Sequence, residues 1–265
     1  MQVYTNDHSS SVLQTHKWRT LANSSPHLLP HILPAMKILD IGCGPGSITL
    51  DFARHVPRGH VIGLEYVSDP LPAARTLARE QGISNVEFME GDIHSLPFPD
   101  ESFDIVHVHQ VLQHIADPVR GLKEMRRVVK KGGIVSARES AGMEWHPANE
   151  GILKWKEISG KMGKARGGNP HPGARIHVWA MEAGFEESMV KRSTGSWCFS
   201  SPAERRYWGG SMMERAKSSG FSKGAVEGGF ASEKDLEVIA NGWGRFVEEK
   251  DGWFGLLHGE VLCWK

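Results

Sequence analysis

Asp40 stands two residues before Gly42, and Gly44 and Gly46 follow at every second position in the stretch ILDIGCGPG. A carboxylate beside glycines suits a turn whose main chain comes close to a ligand, because glycine has no Cβ and enters left-handed backbone freely. Glu65, in GLEYV, comes 25 residues after Asp40, where a carboxylate can accept hydrogen bonds from both hydroxyls of a ribose. Asp92, in EGDIHSLPF, is a third acid at a matching position, in reach of an exocyclic amine. His109 and Gln110, in HVHQVLQHIADP, add a titratable ring and an amide. A dinucleotide fingerprint requires G-x-G-x-x-G, with its last glycine or an alanine packing the helix. Here the spacing is G-x-G-x-G, Ser47 stands where that pattern wants the small residue, and Asp40 would repel a pyrophosphate. A cationic or zwitterionic ligand suits this loop better.

The elements that must position these residues read as strands alternating with helices. KILDIG predicts a buried strand, and SITLDFARHV a helix with Ile48, Phe52 and Val56 four residues apart. GHVIGLEYV, NVEFMEGD, SFDIVHVHQVL and GIVSARES predict the next four strands. PLPAARTLAREQG, capped by Gly82, and DPVRGLKEMRRVVKKGG, with a basic end beside a Gly-Gly cap, predict helices between them. This alternation gives a parallel sheet covered on both faces, with ligands beyond the carboxyl ends of its strands. A short helix is expected from about Ser10 to Asn23, followed by a proline-punctuated approach. After residue 145 we expect two helices (ANEGILKWKEISGKMGKA and ARIHVWAMEAGF), a strand (EESMVKRSTGSWCFS), two more helices and a final strand (WFGLLHGEVLCWK). Gly209 and Gly210 should strain the first of that second helix pair.

Composition narrows the partners. The 265 residues carry 31 Lys plus Arg and 31 Asp plus Glu, so no global field favours nucleic acid or an anionic membrane. Cys43, Cys198 and Cys263 are scattered, which argues against a disulfide scaffold or a structural zinc site and leads us to expect no metal. With no targeting peptide evident and no apolar run near the ~20 residues of a membrane helix, the expectation is a cytoplasmic protein, monomer or homodimer.

Taken in order, LDIGCGPG, GLEYV, GDIHSLPFPDESFDIV and VLQHIADP, the last followed by VVKKGG, resemble the class I S-adenosylmethionine-dependent methyltransferases. The branch is the one that includes the ubiquinone- and menaquinone-biosynthesis enzymes and many small-molecule methyltransferases. The likeness covers residues 36–140 closely and the rest more loosely. It implies an α/β, Rossmann-like fold with a mostly parallel seven-stranded sheet and helices on both faces. It also implies a helical N-terminal lid over residues 1–35 and a methyltransferase domain over 36–265, with helical cap elements at about 145–183 and 202–250 inserted before the last strand. The implied cofactor is S-adenosylmethionine and the implied reaction an in-line methyl transfer to a small-molecule acceptor.

Carried over residue by residue, the resemblance puts Asp40, Gly42, Cys43 and Gly44 around the methionine portion of the cofactor. Glu65 would take the ribose hydroxyls with Tyr66 on the adenine, and Asp92 would accept from the adenine amine with Ile93 beneath the ring. His109 and Gln110 would lie beside the sulfonium, and Arg19 in HKWRT would meet the cofactor carboxylate. The family usually has a small or amide residue near position 109, so the histidine is a departure. It could be a general base, a substrate ligand or a satisfied strand-end histidine, and Glu139 is a weaker candidate base.

The bland readings are that His114 is structural, Cys43 a small buried residue, and the HGE of 258–260 structural. Trp18, Trp145, Trp155, Trp197 and Trp208 either line an acceptor pocket or pack between added helices. No Asn or Asp followed by Pro-Pro and an aromatic follows the fourth strand, so nucleic-acid bases are disfavoured as acceptors. Arsenic is disfavoured by the scattered cysteines. Two other classes stay open, a non-methylating relative that binds the same cofactor and an NAD(P)-dependent oxidoreductase. We expect Asp40→Ala to abolish cofactor binding and leave the fold largely intact.

Overall fold

The computed structural model describes Thr15, His16 and residues 18–265. The expected helix at Ser10–Asn23 therefore lies mostly outside the described residues; its described end holds a four-residue helix, α1 (Leu21–Ser24), capped by Thr20. The strands are β1 (Lys37–Ile41), β2 (His60–Glu65), β3 (Val86–Glu90), β4 (Phe103–His109), β5 (Val129–His146), β6 (Val190–Phe199) and β7 (Trp253–Trp264). They form one seven-stranded sheet in the order β3-β2-β1-β4-β5-β7-β6. β1 to β5 pair in parallel, and β7 runs antiparallel to both of its neighbours. The expected mostly parallel α/β sheet is present.

Helices α2 (Ser47–His55), α3 (Leu71–Glu80) and α4 (Pro118–Val128) follow β1, β2 and β4, and β3 leads to β4 with no helix between them. α5 (Glu150–Ala165) and α6 (Ile176–Glu182) separate β5 from β6. α7 (Pro202–Lys217), α8 (Gly220–Glu227) and α9 (Glu233–Glu248) separate β6 from β7. Among the described residues no helix is long and apolar enough to cross a membrane.

Side chains alternate across each strand, so the sheet presents two different faces. On one face Leu39, Ile41, Val106, Val108, Val135, Ala137, Val261 and Cys263 pack against α4 and α6 in a continuous apolar core. On the other, Ile38, Ile105, Ile134 and Leu262 pack against α1 and α2 through Leu21, Ile48 and Phe52. Along the same four strands, that second face also carries Asp40, His107, Arg138 and Glu260, all buried. A separate apolar cluster joins α5, α7 and α9 around Trp243 and Phe254.

Three local expectations need correction. The basic run after α4 is not a helix end: α4 stops at Val128, whose neighbour Val129 is also fully buried and starts β5. Gly132 and Gly133 then lie inside β5, where the pairing with β4 shifts register, rather than capping a helix. The C-terminal region has three helices before β7, not two, because Ser219 makes a capping box that starts α8 directly after α7. Gly209 is a close approach more than a weakness, since a Cβ there would sit 2.9 Å from the Phe246 ring in α9.

Candidate active site

β1 and β4 are neighbours whose crossover helices lead away in opposite directions, which opens a crevice beyond their carboxyl ends. A cavity of about 300 Å³ lies there. Its floor is the turn after β1, where Gly42, Gly44 and Gly46 all have positive φ. A Cβ on Gly42 would lie 2.4 Å from Val111, so that glycine is needed for packing. A Cβ on Gly44 would meet nothing nearer than the His16 ring at 3.9 Å. Gly44 is thus the bare main chain of this turn that a ligand can approach.

The acids divide by what already holds them. Glu65 lines the cavity at the end of β2, with Oε2 accepting from the Gly44 N–H at 2.9 Å and Oε1 from the Tyr66 N–H at 2.8 Å. Asp40 borders the cavity but is only 3% exposed. Its Oδ2 accepts from the Thr49 hydroxyl at 2.6 Å and its Oδ1 is 2.8 Å from His107 Nδ1, whose Nε2 lies 2.7 Å from the Ser25 hydroxyl. Asp40 therefore ties the turn to β4 and α2. Removing it strands two buried polar partners, so the expectation that Asp40→Ala would spare the fold does not survive this geometry. Asp92 stands outside the cavity lining and accepts from the His94 N–H and ring at 2.9 and 2.8 Å, capping the turn after β3. Ile93, buried, and Tyr66, 39% exposed, both line the cavity. Burial, with Glu65 and Asp40 nearby, pushes the Cys43 thiol well above its ordinary range, in keeping with a small buried residue.

The end of β4 is more heavily charged than the sequence suggested. Gln110 has a φ of 55°, a costly conformation for a non-glycine residue, and is held there from three sides. Its N–H donates to the Arg138 carbonyl at 2.8 Å, its Oε1 accepts from Arg19 at 2.8 Å, and its Nε2 lies 3.0 Å from His258 Nε2. His109 has Arg19 3.5 Å from Nδ1 and Arg138 3.3 Å from Nε2. A neutral imidazole has one acceptor nitrogen, so the ring is over-supplied with donors. Burial first, then Arg19 and Arg138, pull the His109 pKa well below its ordinary value. Taking up a proton would add a third positive charge between two guanidinium groups. That disfavours His109 as a general base.

Arg138 is the centre of a buried polar layer. Its Nε lies 3.1 Å from Glu260, its Nη1 donates to the carbonyls of Asn23 and Ser24 at 2.9 and 3.0 Å, and its Nη2 lies 3.2 Å from His258 Nδ1. Glu260 also accepts from the Ser193 hydroxyl at 2.8 Å and lies 3.5 Å from His27. The register explains the arrangement: Asp40 is opposite His107, His109 opposite Arg138, and Arg138 opposite Glu260 on adjacent strands. Glu139, the next residue of β5, points to the opposite face and accepts from the N–H groups of Val111, Leu112 and Gln113 at 2.8, 2.7 and 3.3 Å. Burial pushes its carboxyl up to about 8 against those donors. It fastens the turn after β4 and does not line the cavity. His114 does line it, with its pKa lowered to about 4 by burial and Arg19.

Helices complete the wall. Trp155, Met162 and Arg166 recur on one face of α5 and its C-cap, and Trp208, Met212 and Arg215 on one face of α7. Of the other tryptophans, Trp197 is buried between Trp18 and His258, with ring centroids 5.2 and 4.7 Å away, and Trp145 stacks on Phe254. Both readings of the tryptophans therefore apply, each to different members. Arg138 and His107 were missed, although polar residues at every second position of otherwise apolar strands (HVH, SARES, HGE) carried the signal, and Lys156, Arg166 and Arg215 on the helices were missed with no such signal.

The methyltransferase domain model matches residues 32–172, more than half of the chain. The chain belongs to that family. An uncharacterized methyltransferase of Schizosaccharomyces pombe is 33% identical over 271 residues, covering 98% of this chain and 95% of its own length. A probable methyltransferase of Aspergillus luteorubrus is 28% identical and covers 99% and 97%. The demethylmenaquinone methyltransferase of Lactococcus lactis is 38% identical over 110 residues, 41% of this chain and 44% of its own. Among solved structures, the YcgJ protein of Bacillus subtilis superposes with a TM-score of 0.58 at 19% identity, covering 91% of this chain and 97% of its own, a likeness of fold. This methyltransferase uses S-adenosylmethionine as its methyl donor.

Proposed function

We propose that the cavity beyond β1 and β4 holds S-adenosylmethionine against the glycine turn and a small-molecule acceptor against the helical wall. The observation that carries this is the convergence of Gly44, Glu65, Tyr66, Ile93, His109 and Gln110, drawn from four strand ends, on one cavity whose far side is aromatic. Gly44 lets the main chain approach the methionine portion, and Cys43 and Gly42 shape the turn beneath it. Glu65 offers two carboxylate oxygens to the ribose hydroxyls, their present donors being backbone N–H groups. Tyr66 and Ile93 receive the adenine. Arg19 is placed for the cofactor carboxylate by its bond to Gln110. Asp40 acts through the turn it anchors, and Asp92 stays with the turn after β3.

Bound S-adenosylmethionine supplies a methyl group on a positively charged sulfur. The protein's part is to align an acceptor with that methyl and to exclude water, which together account for much of the rate in such a displacement. His109, Gln110 and the apolar Leu256 and Met143 form the surface between the two halves. We also propose that residues 1–35 act as a lid on a domain formed by residues 36–265. Thr15, His16 and Arg19 line the cavity, the His16 carbonyl accepts from Ser47 at 2.8 Å, and Trp18 packs on Trp197 and Phe199.

Calorimetric titration with S-adenosylhomocysteine, with NADH in parallel, tests the cofactor half. Micromolar affinity for the first and none for the second is expected, and loss of that affinity in Gly44→Val. NADH binding in place of S-adenosylhomocysteine would sink the assignment.

A further inference from the structure

The charge on the cavity wall is uneven, although the whole chain is neutral. Its acids are Asp40 and Glu65, both on the strand side and both already accepting from protein donors. Its helical side carries Lys156, Arg166 and Arg215 and no acid among the described residues. On α7, Trp208, Met212 and Arg215 fall at i, i+4 and i+7, so aromatic, thioether and guanidinium follow one another along one face. On α5, Trp155, Met162 and Arg166 repeat the same order at i, i+7 and i+11. Each helix thus runs from an apolar ring to a cation along the face it gives to the cavity.

Two further observations agree. A Cβ on Gly224 of α8 would lie 2.5 Å from the Arg166 guanidinium, so a bare helix face makes the room that this cation occupies. His171, on the same wall, is pulled below its ordinary pKa by burial and by Lys156 and Lys164, and His114 is lowered by burial and Arg19.

We infer that the methyl acceptor is an amphipathic anion, a ring-sized apolar body that lies against Trp155, Met162, Trp208 and Met212 and carries an anionic oxygen group received by Lys156, Arg166 and Arg215. This rests on the methyl-transfer reading of the same cavity. The apolar body exchanges water for aromatic and thioether surface, and the anion is held by charge-assisted bonds at the rim. In transfer the methyl–sulfur bond breaks as the methyl bonds to the acceptor's nucleophilic atom, and sulfur keeps the electron pair as a neutral thioether.

The test uses the full chain saturated with S-adenosylhomocysteine and three probes, 2-naphthoate, 2-naphthyl phosphate and 2-naphthamide, followed by calorimetry. At least one anion is expected to bind about tenfold or more tighter than the amide, the scale of a charge-assisted bond. The stronger of the two anions tells a carboxylic acid from a phosphate ester. Lys156→Met and Arg166→Met should each erase about tenfold of the anion's affinity and leave the amide's unchanged. Lys156 is half-exposed on α5, so its variant keeps the test open if Arg166→Met does not fold. Equal affinity for amide and anions, binding of none of the three, or a preference that survives both substitutions overturns the inference. Failure of S-adenosylhomocysteine to bind the unmodified chain would strike the methyl-transfer reading instead.

Discussion

The two faces of the central sheet are built on opposite principles. The face under α4 and α6 is hydrocarbon from β2 to β7 except for Glu139 near the cavity end of β5, and its apolar residues are interchangeable in kind. The face under α1 and α2 is apolar low on the strands, then becomes a layer of Asp40, His107, His109, Arg138, His258 and Glu260 toward the cavity. A hydrocarbon layer holds the sheet together without preferring one fine arrangement. A charged layer is costly unless its charges stay paired, so it fixes the ends of β1, β4, β5 and β7 relative to one another. The lesson is that the polar face positions the site, while the apolar face provides stability.

Breaking the polar face should have the largest effect. Arg138→Met leaves Glu260 buried without its guanidinium and should cost about 3–5 kcal/mol of stability, read by urea unfolding. The double variant Arg138→Met, Glu260→Met should recover part of that loss. If the single variant is as stable as the original chain, the layer is not the positioning element we describe. Next, Glu65→Ala removes the carboxylate assigned to the ribose, and should weaken S-adenosylhomocysteine affinity by about 2–3 kcal/mol, the scale of hydrogen bonds to a charged group. Its unfolding midpoint should fall less than that of Arg138→Met, the Gly44 and Tyr66 N–H groups losing a neighbouring acceptor but no counter-ion being stranded.

Acidification sharpens the contrast. His109, His114 and His258 all have folded pKa values below the ordinary 6.5, with His114 near 4. A group with a lowered folded pKa binds its proton more readily when unfolded, so the stability it contributes is complete above pH 6.5 and lost as pH falls toward the folded value. Each contributes a slope of up to about 1.4 kcal/mol per pH unit in that window. Unfolding free energy should therefore fall from pH 6.5 to 5, and less steeply in His114→Gln. A flat profile would contradict the buried, donor-crowded setting of these rings. The smallest effect is expected for Asp92→Ala, which should change cofactor affinity by under about 1 kcal/mol, since its carboxylate caps a turn. A loss like that of Glu65→Ala would return Asp92 to the adenine site.

Much of this was legible in the chain because it depends on local pattern. Apolar runs broken by glycine gave β1 to β4 and the turn at Gly42 to Gly46, and the spacing of Asp40 and Glu65 gave the cavity floor. The start of β5 was not legible, since Val128 and Val129 read equally as helix or strand and only burial on both sides decides between them. The anchoring of Asp40 was not legible for a related reason: its partners Thr49 and His107 come from other elements, and spacing alone does not predict cross-strand pairing. Arg138 and Glu260 lie far apart in sequence and meet only through β7, so their pairing depends on the topology.

That dependence on β7 has a consequence for how the molecule is made. β7 lies between β5 and β6 and is the later of every pairing it enters. Without β7, β5 and β6 have their facing edges open, and Arg138 lacks Glu260 as its counter-ion. The polar layer, and with it the end of β4 beside the cavity, is complete only when β7 lies between β5 and β6. Birth of the site and completion of the sheet are one event.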